Sequence, residues 1–152
     1  MNRVKEIGII SDTHGLLRPE AILALAGSEL ILHAGDVEGD WILTELNEIA
    51  PCLAVGGNCD DESDLPNFRM EEISGQRVLM YHGHLPINEA SFKPTVVISG
   101  HSHQPIIESV DGVLRINPGS AGPRRFDKPV TIARLSINQK GVQAKIIHLS
   151  VK

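Results

Sequence analysis

The sequence predicts an α/β fold in which a mixed β-sheet packs on a second sheet, with helices outside. Two observations predict it. Five short apolar runs, 4–11, 30–34, 52–55, 78–81 and 95–99, are interspersed with helical candidates. After His103 the pattern changes from strand–helix alternation to hairpins. At 152 residues the chain can bury a core without disulfide or metal staples, and no repeat, linker or low-complexity stretch divides it. Residues 1–152 are read as one domain.

Each apolar run is nearly continuous and rich in β-branched residues, as in strands buried on both faces. Pro19 opens a helix over 19–26 and Gly27 follows its end, the usual helical asymmetry. Asp40 is placed to cap a helix over 41–50, where Trp41, Ile42, Leu46 and Ile49 fall near helical spacing and Pro51 stops the run. Residues 64–68 read as a loop, and 88–92 as at most a short helix. Beyond His103, 106–110 and 113–116 form a hairpin on Asp111-Gly112. Residues 130–137 and 142–151 form a longer one across 138–141.

Composition narrows the function. Aromatic residues make up only 3% of the chain, so the core is aliphatic and stacking on single-stranded nucleic acid is disfavoured. A net charge of −5, with Lys and Arg scattered, offers no basic patch for a phosphate backbone. A small substrate fits better, with no extended nucleic acid and no membrane; a homo-oligomer stays open. No apolar run approaches a membrane span, and the opening "MNRVKEIGII" runs into a strand without a signal-peptide pattern. Two cysteines are too few for a disulfide scaffold, and the expected location is cytoplasmic.

The chemistry lies after the strands. The five runs are followed in turn by Asp12-Thr13-His14, Gly35-Asp36, Asn58-Cys59-Asp60, His82-Gly83-His84 and Gly100-His101-Ser102-His103. In open α/β sheets the C-terminal strand edge is where sites form, so residues distant in sequence would converge there. Asp-x-His and Gly-Asp are weak signals singly, and Gly-His-x-His is a stronger one; their order and shared placement carry the argument. Asp, His and Asn make a mixed nitrogen and oxygen donor set suited to Mn²⁺, Fe²⁺ or Zn²⁺. Neither cysteine has a partner at Cys-x-x-Cys spacing, which argues against a thiolate zinc site. Seven candidate ligands exceed the need of one ion, and two ions about 4 Å apart can hold a hydroxide nucleophile and neutralise phosphoryl charge.

With "DTH", "GD", "GNCD", "HGH" and "GHSH" in this order, the chain resembles the calcineurin-like metallophosphoesterase superfamily, and within it the small single-domain YfcE-type phosphodiesterases. The resemblance implies a four-layer α/β/β/α sandwich with two mixed sheets. It implies two divalent ions per chain, Mn²⁺ first, with Fe²⁺, Zn²⁺, Ni²⁺ or Co²⁺ as alternatives. Asp12, His14 and His103 would hold one ion, Asp36 would bridge, and Asn58, His82 and His101 would complete the second. A bridging hydroxide would then attack a small phosphodiester, giving a phosphoric diester hydrolase.

Several residues carry competing readings. Asp12 and Asp36 are of a type that often caps turns. His84 is read as supporting a ligand or facing substrate, His33 as a satisfied interior histidine, and His148 as a surface or sheet residue. The loop from Asn117 to Ser120 either orients ligands or is a plain turn, and Arg124 either meets phosphate or is merely exposed. Asp60 is read as steadying its turn, and Asp61 carries no assignment. Cys52 reads as a small buried apolar residue. Many members of the wider superfamily place histidine where this chain has Cys59. A neutral thiol is a weak donor, so Cys59 is read as lining the site, not as a nucleophile, and the change implies a preference for diesters. Two alternatives remain: a metal-binding or protein-interaction scaffold on the same fold, and a phosphomonoesterase.

Overall fold

The computed structural model describes residues 3–60, 63–125 and 127–151; Asp61 lies outside them. Strand β1 (Lys5–Ile10) is followed by α1 (Pro19–Leu25), β2 (Leu30–His33), α2 (Asp40–Ile49) and β3 (Cys52–Ala54). Then come β4 (Phe68–Ile73), β5 (Gln76–Tyr81), a 3-10 turn (Glu89–Phe92) and β6 (Val96–Ile98). Two hairpins close the chain, β7 (Ile106–Val110) with β8 (Val113–Asn117) and β9 (Thr131–Asn138) with β10 (Gly141–His148).

These strands make two mixed sheets of five, ordered β10-β9-β1-β2-β3 and β4-β5-β6-β8-β7. In the first, β1, β2 and β3 run parallel; in the second, β5, β6 and β8 do. Side chains alternate across each strand. On β1, Ile7 and Ile9 enter the layer between the sheets, where they join Leu32, Val78, Met80, Val96, Ile98 and Ile116. Ile10 turns the other way, into a second core with Ala21 and Leu25 of α1 and Ile42 and Leu46 of α2. The sheet is therefore buried on both faces, which is why its strands read as unbroken apolar runs. Helices α1 and α2 cover this first sheet. Over the second sheet the outer layer is thin: the 3-10 turn is tied down by Glu89 to Arg115 and Tyr81, and by Phe92 to the Arg77 guanidinium.

Two details differ from the sequence reading. Strand β4 begins at Phe68, at the end of the expected loop, and pairs with β5 through Ser74 and Gly75, both at positive φ, as a type I′ hairpin requires. It is a sheet edge whose "FRMEEI" leaves Phe68 and Glu72 exposed, so little apolar periodicity marks it. Asp40 is the first residue of α2 and not its cap; Gly39 occupies that position and no side chain caps the helix. Asp40 still places a negative charge in the first turn, where the helix dipole favours it. Among the described residues no helix is long and apolar enough to cross a membrane.

Candidate metal centre

The parallel pairing of β1 with β2, of β2 with β3 and of β5 with β6 delivers the five strand-end segments to neighbouring positions. Backbone bonds lock the first two together: the amides of Asp12, His14 and Gly15 donate to the carbonyls of Gly35, Asp36 and Val37. Five of the seven expected ligands, Asp12, His14, Asp36, His101 and His103, sit at positive φ. That conformation is strained for residues with a side chain and clusters at functional sites.

The side chains converge. Asp12, His14 and His103 offer donor atoms within 4.8 Å of one another, and so do Asp36, His82 and His101. His14 also reaches across, its Nε2 lying 3.6 Å from both Asp12 Oδ1 and Asp36 Oδ2. Asn58 joins through Oδ1, 3.2 Å from His101 Nδ1. All seven expected ligands are thus in one place, in two groups that meet at Asp36 and His14.

The donors are also oriented. Asp12 Oδ2 accepts from the Ser11 hydroxyl at 2.6 Å and the His101 amide at 3.1 Å, while Oδ1 is buried without a hydrogen bond. Around that oxygen stand the Nε2 atoms of His103, His14 and His82, at 3.3, 3.6 and 3.8 Å. His82 donates from Nδ1 to the Ala34 carbonyl at 2.8 Å, leaving its buried Nε2 without a hydrogen bond, although Asp36 Oδ2 is 3.1 Å away. The His14 Nδ1 contact with Glu38, 2.7 Å, likewise leaves Nε2 facing the cluster. A buried polar atom left unpaired costs about 1–3 kcal/mol. Several aimed at one point fit a cation, and the outer partners fix the imidazoles as metal ligands are usually fixed.

The cluster's charges follow from these contacts. Burial would raise the Asp12 carboxyl, but the imidazoles of His103 and His14 and the Ser11 hydroxyl hold it below the ordinary carboxylate range. Asp36 is also held low, against burial, by His82 and by the Cys59 amide, which donates to Oδ1 at 2.8 Å. His14 is raised, chiefly by Asp12 and against burial, with Glu38 adding to it. His82 is raised despite burial by Asp36 and the Ala34 carbonyl. Close approach demands glycine at two points. A Cβ on Gly57 would lie 2.2 Å from Asp36 Oδ1, and one on Gly100 2.2 Å from Ser11 Oγ.

Residues 6–140 match the model of the calcineurin-like phosphoesterase superfamily domain. The chain belongs to that superfamily. A probable metallophosphoesterase of Methanothermobacter thermautotrophicus is 39% identical, covering 93% of this chain and 91% of the relative. Phosphodiesterase YfcE of Escherichia coli is 30% identical over 82% of this chain and 84% of its own. The structure of wild-type Vps29 of Entamoeba histolytica, complexed with zinc, superposes with a TM-score of 0.76 at 20% identity, covering 94% of this chain and 98% of that one, a likeness of fold. The two mixed sheets are those of the calcineurin-like fold.

Around this cluster the remaining candidates separate. His33 is fully buried, accepts from the Gly35 amide at Nδ1 and meets Thr13 Oγ1 at Nε2, and burial pushes it down to about 4. It is an interior, neutral histidine. His84 packs beside the cluster, its ring 5.4 Å from that of His82 and 6.4 Å from that of His101. Asn117 donates to the Gly100 carbonyl and to Ser102, and Ser120 to the Asp12 carbonyl, so this loop braces the segments that carry Asp12 and His101. Arg124 is exposed on the loop. Asp60 steadies its turn by accepting from the amides of Val37, Glu38 and Gly57. Burial pushes the Cys52 thiol up to about 12. Cys59 is exposed, and its thiol is raised by partial burial and by the carboxylates of Asp36 and Glu38. Two participants escaped the sequence reading: Glu38, which holds His14, and Ser11, which holds Asp12. Neither lies in a motif whose spacing marks it; both act through the packing of neighbouring loops.

Proposed function

We propose that the chain is a phosphodiesterase acting on small phosphodiesters with two divalent ions. Asp12, His14 and His103 would hold one and Asn58, His82 and His101 the other, with Asp36 available to both. The observation that carries the reading is Asp12 Oδ1, buried without a hydrogen bond and ringed by three imidazole nitrogens. When bound, such ions supply Lewis acidity that activates water and neutralises charge on the phosphoryl group. The donor set suits Mn²⁺, with Fe²⁺, Zn²⁺, Ni²⁺ and Co²⁺ as alternatives.

The chain's own residues orient the donors. Glu38 and the Ala34 carbonyl fix the rings of His14 and His82, and the Cys59 amide fixes Asp36. The Cys59 thiol stays protonated near neutral pH, which suits lining and not attack. A protonated thiol also stabilises a developing alkoxide poorly, and the preference for diesters is taken from the similarity to phosphodiesterase YfcE. Two unpaired cysteines suit a cytoplasmic setting.

The test is hydrolysis of bis-p-nitrophenyl phosphate by the Mn²⁺-loaded protein, beside Asp36→Ala and His101→Ala. Turnover in the wild type and its loss in both variants is expected. No turnover with any of the five metals, or equal turnover in the variants, rejects the reading. Cys59→His is expected to raise activity on an alkyl phosphomonoester such as glycerol 2-phosphate, whose leaving alkoxide needs a proton donor, and no rise rejects the role given to the thiol. A binding scaffold on the same fold is the second reading, since a fold does not fix function. Fewer than about one ion per chain, unrestored by added metal, would favour it.

A further inference from the structure

Beside the metal cluster lies a cavity of about 720 Å³, walled by Glu38, Asp40, Cys59, Asp60, Asp64 and Leu65. Among the described residues four carboxylates line it and no Lys or Arg does. Cys59 joins the two spaces, since its sulfur lies within 4.8 Å of donor atoms of His14 and Asp36. Through Cys59 the cavity therefore adjoins the donor cluster at His14 and Asp36.

The wall keeps its charge. Glu38 contacts His14 and Asp60 accepts from three amides, but among the described residues neither has a Lys or Arg partner. Asp40 offsets the positive end of α2, and Asp64 is exposed. An aromatic ring stands at the rim. Trp41, the chain's one tryptophan, is 51% exposed. Its indole lies against Gly39, which itself lines the cavity; a Cβ on Gly39 would be 2.7 Å from the indole Nε1. Carboxylates beside an accessible indole attract an ammonium group both by charge and through the ring face.

We propose that the cavity receives an ammonium-bearing alcohol of the phosphodiester substrate, and that it disfavours alcohols carrying a further carboxylate or phosphate. The assignment rests on the phosphodiesterase reading and names its substrate class. Like charges on the wall supply the rejection, and the metal cluster supplies the site for the phosphoryl group.

The test compares three p-nitrophenyl phosphodiesters with the metal-loaded chain: the choline ester, its uncharged 3,3-dimethylbutyl isostere and a 3-carboxypropyl ester. The expected order of kcat/KM is choline, then neutral, then carboxylate. Each step is about fivefold at low salt, the worth of one unit-charge contact at about 4 Å in water, and shrinks as salt rises. In the Asp40→Asn/Asp64→Asn double variant the choline preference falls to about twofold, since two of four wall charges are gone. Trp41 fluorescence is expected to change saturably with choline alone and not with 3,3-dimethylbutanol.

Equal rates on the three esters, or a preference that the double variant retains in full, overturns the ammonium assignment while leaving diester hydrolysis intact. Conversely, a choline-specific fluorescence response without hydrolysis of any diester upholds the ammonium cavity and rejects the phosphodiesterase reading.

Discussion

His33 makes the protein's stability depend on pH in a calculable way. Burial pushes its imidazole from an ordinary 6.5 down to about 4. On unfolding the ring regains its ordinary value, so between these two values the unfolded chain binds a proton that the folded chain refuses. Stability must then fall as pH falls from about 6.5 to about 4, and level off below. Linkage gives a loss of about 2 kcal/mol between about pH 7 and about pH 5, and about 3 kcal/mol by about pH 4. The perturbation is His33→Gln, whose amide can accept from the Gly35 amide and donate toward Thr13 without titrating. Urea unfolding with EDTA present, followed at about pH 7 and about pH 5, should show wild type losing about 2 kcal/mol more than the variant. The same loss in both proteins would refute the argument. Should the variant fail to fold, the imidazole resonances of His33 in the wild type provide the check, and protonation near pH 6.5 would refute it equally.

The other predictions concern the metal cluster. Glu38→Ala frees the His14 ring, and Mn²⁺ affinity measured by calorimetry should fall about tenfold; unchanged affinity would remove Glu38 from the site. Gly57→Ala drives a Cβ to 2.2 Å from Asp36 Oδ1, and thermal unfolding should register a loss of about 1–3 kcal/mol, where an unchanged midpoint would contradict the close approach. His14 and His82 are both raised, so the metal-free protein retains protons that an ion must displace. Mn²⁺ binding should therefore tighten from about pH 6 to about pH 8 and release protons; calorimetry in buffers of different ionisation enthalpy would expose an absence of release.

Legibility in the sequence tracked burial. Strands β1, β2, β3, β5 and β6 were readable because both faces are covered and the runs are unbroken. Strand β4 was not, because an edge strand exposing Phe68 and Glu72 lacks that signature, and Ser74-Gly75 is a quieter hairpin signal than Asp111-Gly112. Asp40 was expected to cap α2, whereas Gly39 takes the cap and Asp40 the first turn. The residues expected as ligands, which the fold brings together, stood out because each lies shortly after the end of an apolar run. Ser11 and Glu38 were not, since their roles depend on which loop packs beside which.

The sequence by itself determined the donor inventory, its order along the chain and its placement at strand ends, because residue type and hydrophobic periodicity are local properties. Tertiary structure alone decided the rest. Parallel pairing of β1 with β2 set the Asp12 loop against the Asp36 loop, through backbone hydrogen bonds that no motif encodes. Positive φ marks five of the expected ligand positions, whose side chains converge. Burial then made His33 neutral, left Asp12 Oδ1 unpaired and put a carboxylate-walled cavity beside Cys59. Each of these depends on distances between residues far apart in the chain, which only the folded packing sets.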